Sequence, residues 1–179
     1  LQDVLANPLP EDWIEGEKYG RVCQGKLSLR MKPNPDAEVA KEIFDDAIIH
    51  WEREVVGTSP GWGSRNWVET KDGYAYAPRL QPSYYRPNTP LSDLPVTNGV
   101  KGMWAEVTVP FVDLMIANPP VRTPSFKDSL HPRMYYSQVT WIDDIKTENG
   151  IVYYRTNQKI GTYGDLFWVD ARAYKPLTA

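Results

Sequence analysis

Proline sets the first limit on this chain. Sixteen of its 179 residues are proline, spread from Pro8 to Pro176. Proline locks φ and carries no backbone N–H, so it interrupts helices and enters sheets only at edges, strand ends or bulges. Long regular helices are therefore not expected. The stretches between the prolines alternate with the two-residue period of strands.

Residues 1–20 read as an arm, with Leu9, Trp13 and Ile14 expected to cover an apolar face of the domain next to it. Residues 21–81 have the punctuation of a small β domain. Leu27, Leu29 and Met31 share one face of a strand, Pro33-Asn34-Pro35-Asp36 turns the chain, and residues 38–43 form a second strand. Residues 47–56 read as one longer strand. Asp72-Gly73 between alternating runs predicts a hairpin over residues 66–77. Residues 82–100 carry Pro82, Pro87, Pro90 and Pro95 and read as a stiff, extended connection outside any inner strand.

Residues 101–179 repeat the pattern. A strand over 103–109 continues through 111–116, a Pro-rich loop spans 118–132, and further strands occupy 133–145, 151–155 and 166–170. Asn149-Gly150 marks another hairpin. The halves share an order of features and a similar exit, Ala77-Pro78-Arg79-Leu80-Gln81-Pro82 and Ala171-Arg172-Ala173-Tyr174-Lys175-Pro176. This grammar predicts an all-β chain of two small SH3-like barrels joined by a Pro-rich strap and packed together, unfolding in one cooperative event.

Charge and rare residues narrow the function. Lys plus Arg is 20 and Asp plus Glu is 23, a net charge of −3. A nucleic-acid binder needs a basic excess to displace counterions, so no nucleic-acid partner is expected. No run approaches the ~18 apolar residues of a membrane helix, so no membrane insertion is expected. The start, Leu1-Gln2-Asp3-Val4, has neither an initiator Met nor a basic leader segment and reads as a trimmed or processed end. One cysteine, Cys23, and two histidines, His50 and His131, argue against a multi-Cys metal site. No metal and no cofactor is expected. Cys23 reads as a small buried hydrophobe in preference to one half of a Cys–His dyad. The acidic pairs Asp45-Asp46 and Asp143-Asp144 read as turn residues, since neighbours on a strand point to opposite faces and cannot act as a couple.

Several of these segments are similar to a known family. Gly20-Arg21-Val22, Leu27-Ser28-Leu29-Arg30, Pro33 and Pro35, Glu38-Val39-Ala40, Trp67-Val68-Glu69 and Gly73-Tyr74-Ala75-Tyr76 resemble a bacterial SH3-type domain over residues 20–81. Gly102-Met103-Trp104-Ala105-Glu106-Val107-Thr108-Val109-Pro110, Arg133-Met134-Tyr135-Tyr136 and Trp141-Ile142 look like the segment after such a domain in some envelope proteins, ahead of an L,D-transpeptidase domain. The catalytic signature of that enzyme is Ser-x-Gly-Cys-x-Arg with an upstream His. The lone cysteine here lies in Val22-Cys23-Gln24-Gly25, which does not fit it.

The resemblance implies tandem SH3-like units at 21–81 and 101–179, an extracytoplasmic location, and a non-catalytic module that targets or positions an envelope protein on peptidoglycan. Its partner would be peptidoglycan or an adjacent catalytic domain. Two alternatives stand beside this. The chain could be the accessory region of an L,D-transpeptidase whose catalytic domain lies elsewhere, or a protein–protein scaffold with no glycan affinity. Exposed rings are the expected ligand contacts, and Trp51, Trp62, Tyr76, Tyr135 and Tyr154 are the candidates. Trp62, between Gly61 and Gly63, is either a ligand platform or a clamp on a neighbouring segment. Alternation predicts that one member of each pair Tyr135-Tyr136 and Tyr153-Tyr154 is buried and the other exposed.

Overall fold

The structure, a computed structural model, describes residues 8–23, 25–127, 132–157 and 163–177. The chain is almost all β, with 48% strand and 6% helix, in several antiparallel sheets with no closed barrel. The expected barrels are thus open sheets. The α-helix among the described residues is the single turn Pro124–Lys127. None of the described helices is long and apolar enough to cross a membrane.

Two compact units form, Ile14–Tyr85 and Leu1–Trp13 with Arg86–Ala179. These limits differ from the sequence boundaries at 20, 81 and 100. The arm divides between the units, and the Pro-rich segment is no separate linker.

The Ile14–Tyr85 unit contains β1 (Lys18–Val22), β2 (Leu27–Arg30), β3 (Val39–Ile43), β4 (Ile48–His50), β5 (Arg53–Val56), β6 (Asn66–Thr70), β7 (Gly73–Tyr76) and β8 (Leu80–Tyr84). One sheet has the order β4-β1-β8 and the other β3-β2-β7-β6-β5. The run over 47–56 is therefore two strands in two sheets. The break is at Trp51, whose backbone N–H bonds to the Lys18 carbonyl while that of Glu52 bonds to the Glu69 carbonyl. Pro82 lies inside β8, contrary to the expectation of a strand-free connection. It is tolerated because β8 is an edge strand and needs no donor on its open side. Leu27 and Leu29 join Val22, Ile43, Trp51, Val68, Ala75 and Leu80 in the core. Met31 does not, being 58% exposed, because β2 ends at Arg30 and the chain turns.

The other unit contains β9 (Val96–Thr97), β10 (Val100–Lys101), β11 (Met103–Val107), β12 (Phe111–Asp113), β13 (Met115–Ile116), β14 (Arg133–Tyr135), β15 (Val139–Glu148), β16 (Ile151–Asn157), β17 (Leu166–Asp170) and β18 (Tyr174–Pro176). A six-stranded sheet runs β13-β17-β16-β15-β11-β18, while β12 pairs β14 and β9 pairs β10. The apolar run 111–116 does not continue β11. Past Pro110 it splits between two sheets. Asn149 (φ 51°) and Gly150 (φ 78°) both turn left-handed, the primed geometry that matches strand twist and closes β15 onto β16. Leu9 is buried and its N–H donates to Asp170 at 3.3 Å, while Trp13 meets Phe111 edge-on at 5.1 Å. Ile14 is 61% exposed and covers nothing.

The similar exits have a structural counterpart. Each ends in a 3-10 turn, Ala77–Arg79 or Ala171–Ala173, and then in a strand that returns to pair with an early strand of its own unit. β8 pairs β1 and β18 pairs β11, both antiparallel.

Candidate functional site

The five candidate rings do not form one groove. Trp51 is a core residue at 8% exposure, with the Lys18 ammonium 4.0 Å from its ring. Tyr154 is 1% exposed, and its hydroxyl oxygen accepts the Leu91 N–H at 2.7 Å. Burial raises the pKa of that hydroxyl, and the Leu91 bond only partly offsets it. Neither ring offers a face to a ligand. Tyr135, on β14, is half-buried opposite Phe111.

The alternation expected of the tyrosine pairs fails. Tyr153 and Tyr154 are both buried, at 2% and 1%. They point to opposite faces of β16, but each face is covered at that position. The arm reaches Asp170, the cross-strand partner of Tyr153, and the Pro-rich segment reaches Tyr154 through Leu91. Tyr135 and Tyr136 are both half-buried.

Of the five candidates, Tyr76 lines a cleft, and Trp62 does not. The loop after β5 carries Pro60, Trp62 and Ser64 past the end of β7. The Tyr76 hydroxyl donates to the Ser64 carbonyl at 3.0 Å, and Ser59 Oγ ties the loop to the Gly63 carbonyl at 3.0 Å. Trp62 is fully exposed, so it clamps nothing. Tyr76 pairs across the strands with Trp67, their rings 5.4 Å apart at 61°. Trp67 is held by its indole N–H, which donates to the Thr58 carbonyl at 2.9 Å. Gly57 permits this closeness, since a Cβ there would lie 2.1 Å from the Pro33 carbonyl oxygen and 2.6 Å from the Trp67 ring.

Trp67 and Tyr76 line a cleft of about 220 Å³, with Pro35 and Pro60 as apolar walls and Lys26, Arg30 and Arg79 as cationic side chains. Arg30 Nη1 donates to the Ala37 carbonyl at 2.8 Å and Arg79 Nη2 to the Lys26 carbonyl at 3.4 Å. The Ala37 carbonyl fixes the Arg30 guanidinium without neutralising it. Lys26 pairs with Glu42 at 2.8 Å, but both side chains are about half-exposed, where such pairs are weak and exchangeable. The cleft therefore combines rigid rings, prolines and positive charge. Of the cleft's lining, sequence reasoning singled out Tyr76 and missed the prolines and cations. The turn Pro33-Asn34-Pro35-Asp36, opposite an aromatic hairpin, was the signal for them.

A second cleft of about 220 Å³ lies on the other unit between Pro8, Leu9, Pro10, Phe111 and Arg133. Its one cation is already engaged, as Arg133 bonds Asp113 at 2.7 Å and covers the Phe111 ring at 3.9 Å.

Cys23 is exposed, contrary to the expected burial. The chain has left β1 at Val22, the Cys23 N–H bonds to the Arg79 carbonyl, and Sγ turns out, 3.7 Å from the Arg21 carbonyl oxygen. His50 pairs with Tyr19 at the other end of β1 and contacts Glu17 at 2.9 Å. His131 lies outside the described residues. Asp143-Asp144 is also not a turn. It sits in β15 at a register shift, and the bulge lets both carboxylates reach Arg155, at 2.8 and 3.3 Å.

No protein-family model matches the chain, and neither a curated protein nor a solved structure matches it.

Proposed function

We propose that this chain is a non-catalytic positioning module of a cell-envelope protein, and that it binds peptidoglycan through the Tyr76 cleft. The observation that carries this reading is the cleft's composition, two packed rings and two prolines beside three cationic side chains. Rings and prolines suit an extended peptide, and cations suit its carboxylates. Peptidoglycan stems are short peptides rich in carboxylate. The SH3-type resemblance of residues 20–81, the stretch that builds the cleft, supports the same ligand and an extracytoplasmic location. The chain is assigned no bond-breaking step, and the separation of Cys23 from His50 along β1 is in keeping with that.

Co-sedimentation with purified sacculi tests it. The wild-type chain is expected in the pellet, and more salt should release it, because the cationic contribution is screened. In calorimetric titration with a free stem tetrapeptide, Arg30→Glu with Arg79→Glu should lose the binding that the wild type shows. A wild-type chain that stays in the supernatant at low salt, or a double variant that still binds the stem tetrapeptide, would refute the reading.

A further inference from the structure

Three tryptophans lie out of phase with the core of the six-stranded sheet. Trp104 stands between buried Met103 and Ala105, Trp141 between buried Thr140 and Ile142, and Trp168 between buried Phe167 and Val169. Successive strand residues face opposite ways, so all three indoles project from the face opposite the core. Trp104 is 45% exposed, and the other two are partly exposed. An exposed indole contributes nothing to a core that it does not touch, and three on one face of one sheet form a surface.

The surface is ordered. Trp104 and Trp141 are cross-strand partners with ring centroids 5.4 Å apart at 73°. Trp141 lies over Gly102 (φ 142°), where a Cβ would come within 2.5 Å of the ring. Trp168 lies two strands beyond β15, so at ~4.8 Å per strand the strip extends for roughly 14 Å from β11 to β17. Between its ends is a polar cluster. Arg155 Nε and Asn157 Nδ2 both donate to the Asp143 carboxylate. At the far end the Lys146 ammonium stands 4.7 Å from the Trp168 ring.

Charge along the strip nearly cancels. Asp143 and Asp144 pair with Arg155, and Glu148 pairs with Lys146, so two cations meet three carboxylates, 2 − 3 = −1. A polyanion or polycation finds no complementary field here. The match is to a neutral ligand with flat apolar faces and a hydroxyl-rich edge. Rings take the C–H faces of a pyranose, and the fixed carboxylate, amide and guanidinium take its hydroxyls.

We infer that the Trp104–Trp141–Trp168 face is a binding platform for an uncharged, β-linked pyranose chain, a site separate from the Tyr76 cleft. The platform stands apart from the function proposed above, because it belongs to another sheet and suits another class of ligand chemistry.

Calorimetric titration of the full chain with chitohexaose and with cellohexaose tests it. Saturable binding of at least one is expected, with a tryptophan emission change on the same isotherm. Trp104→Ala should weaken binding by roughly tenfold or more, the loss of one ring contact, while Trp104→Tyr keeps most of the affinity. Gly102→Ala should also weaken it by displacing Trp141. Arg30→Glu with Arg79→Glu should leave it unchanged, so the two sites can fail independently. Absence of binding to both sugars at millimolar concentration would overturn the inference. So would equal affinity of Trp104→Ala and wild type, or self-association of the chain that Trp104→Ala abolishes, which would assign the face to a second copy.

Discussion

The two units close in the same way and then diverge. Each ends in a 3-10 turn and a strand that returns to an early strand, yet the sheets of Ile14–Tyr85 have three and five strands while the other unit builds a broad six-stranded sheet beside two strand pairs. Strand length accounts for the difference. No strand of Ile14–Tyr85 exceeds five residues, and its sheets end in loops that frame a cleft. β15 has ten residues and β16 seven, joined by a two-residue turn, so the second unit offers a wide face. Short strands with long loops make concave sites, and long strands with tight turns make flat ones. The aromatic residues obey the same division, as a packed pair in the cleft and a spaced row on the sheet.

The largest predicted effect contrasts buried with exposed rings. Tyr154→Ala should cost about 3–5 kcal/mol, by removing a buried ring, and should lower the urea midpoint reported by the Met103 and Met134 methyl signals. Tyr154→Phe should cost about 1–3 kcal/mol, because the Leu91 N–H loses its acceptor. If the truncation were neutral, the six-stranded sheet would not depend on this core.

Alkaline pH should separate the units next. Burial raises the pKa of Tyr153 and Tyr154, and fully buried Tyr174 is raised further. A raised folded pKa means the contribution is complete below the unfolded value, about 10, and is lost as pH climbs through and beyond it. Urea midpoints from the same methyl signals should therefore fall above about pH 10. Flat midpoints up to about pH 11 would contradict that burial.

Smaller effects belong to the cleft. Gly57→Ala should cost about 1–3 kcal/mol by forcing Trp67 and the Pro33 turn apart. Trp62→Ala should change stability by less than about 0.5 kcal/mol in thermal unfolding, since the ring touches no core. A large loss on removing Trp62 would show that its loop is a structural clamp.

Legibility in the sequence depended on how local each signal is. Both hairpins were legible from Asp72-Gly73 and Asn149-Gly150, because a two-residue turn has its own chemistry. The all-β class was legible from proline and alternation. The break at Trp51 was not, because transfer between sheets depends on partners far away in sequence. The burial of Tyr153 and Tyr154 was hidden for the same reason, their covers being the arm and the Pro-rich segment. Among the candidate site residues, the exposure of Trp62 was legible from its flanking glycines. The platform was readable in principle, since each of its tryptophans sits at the wrong parity for its strand. The bulge at Asp143 that places a polar cluster beside them left no mark.

The division into a charged cleft and a neutral face can be tested in a single calorimetric matrix. Wild type, Arg30→Glu with Arg79→Glu, and Trp104→Ala are each titrated with a stem tetrapeptide and with chitohexaose. The expected result is that the arginine variant loses the peptide and keeps the sugar, and that Trp104→Ala loses the sugar and keeps the peptide. Loss of both ligands in either folded variant, or retention of the peptide by the arginine variant, would contradict it.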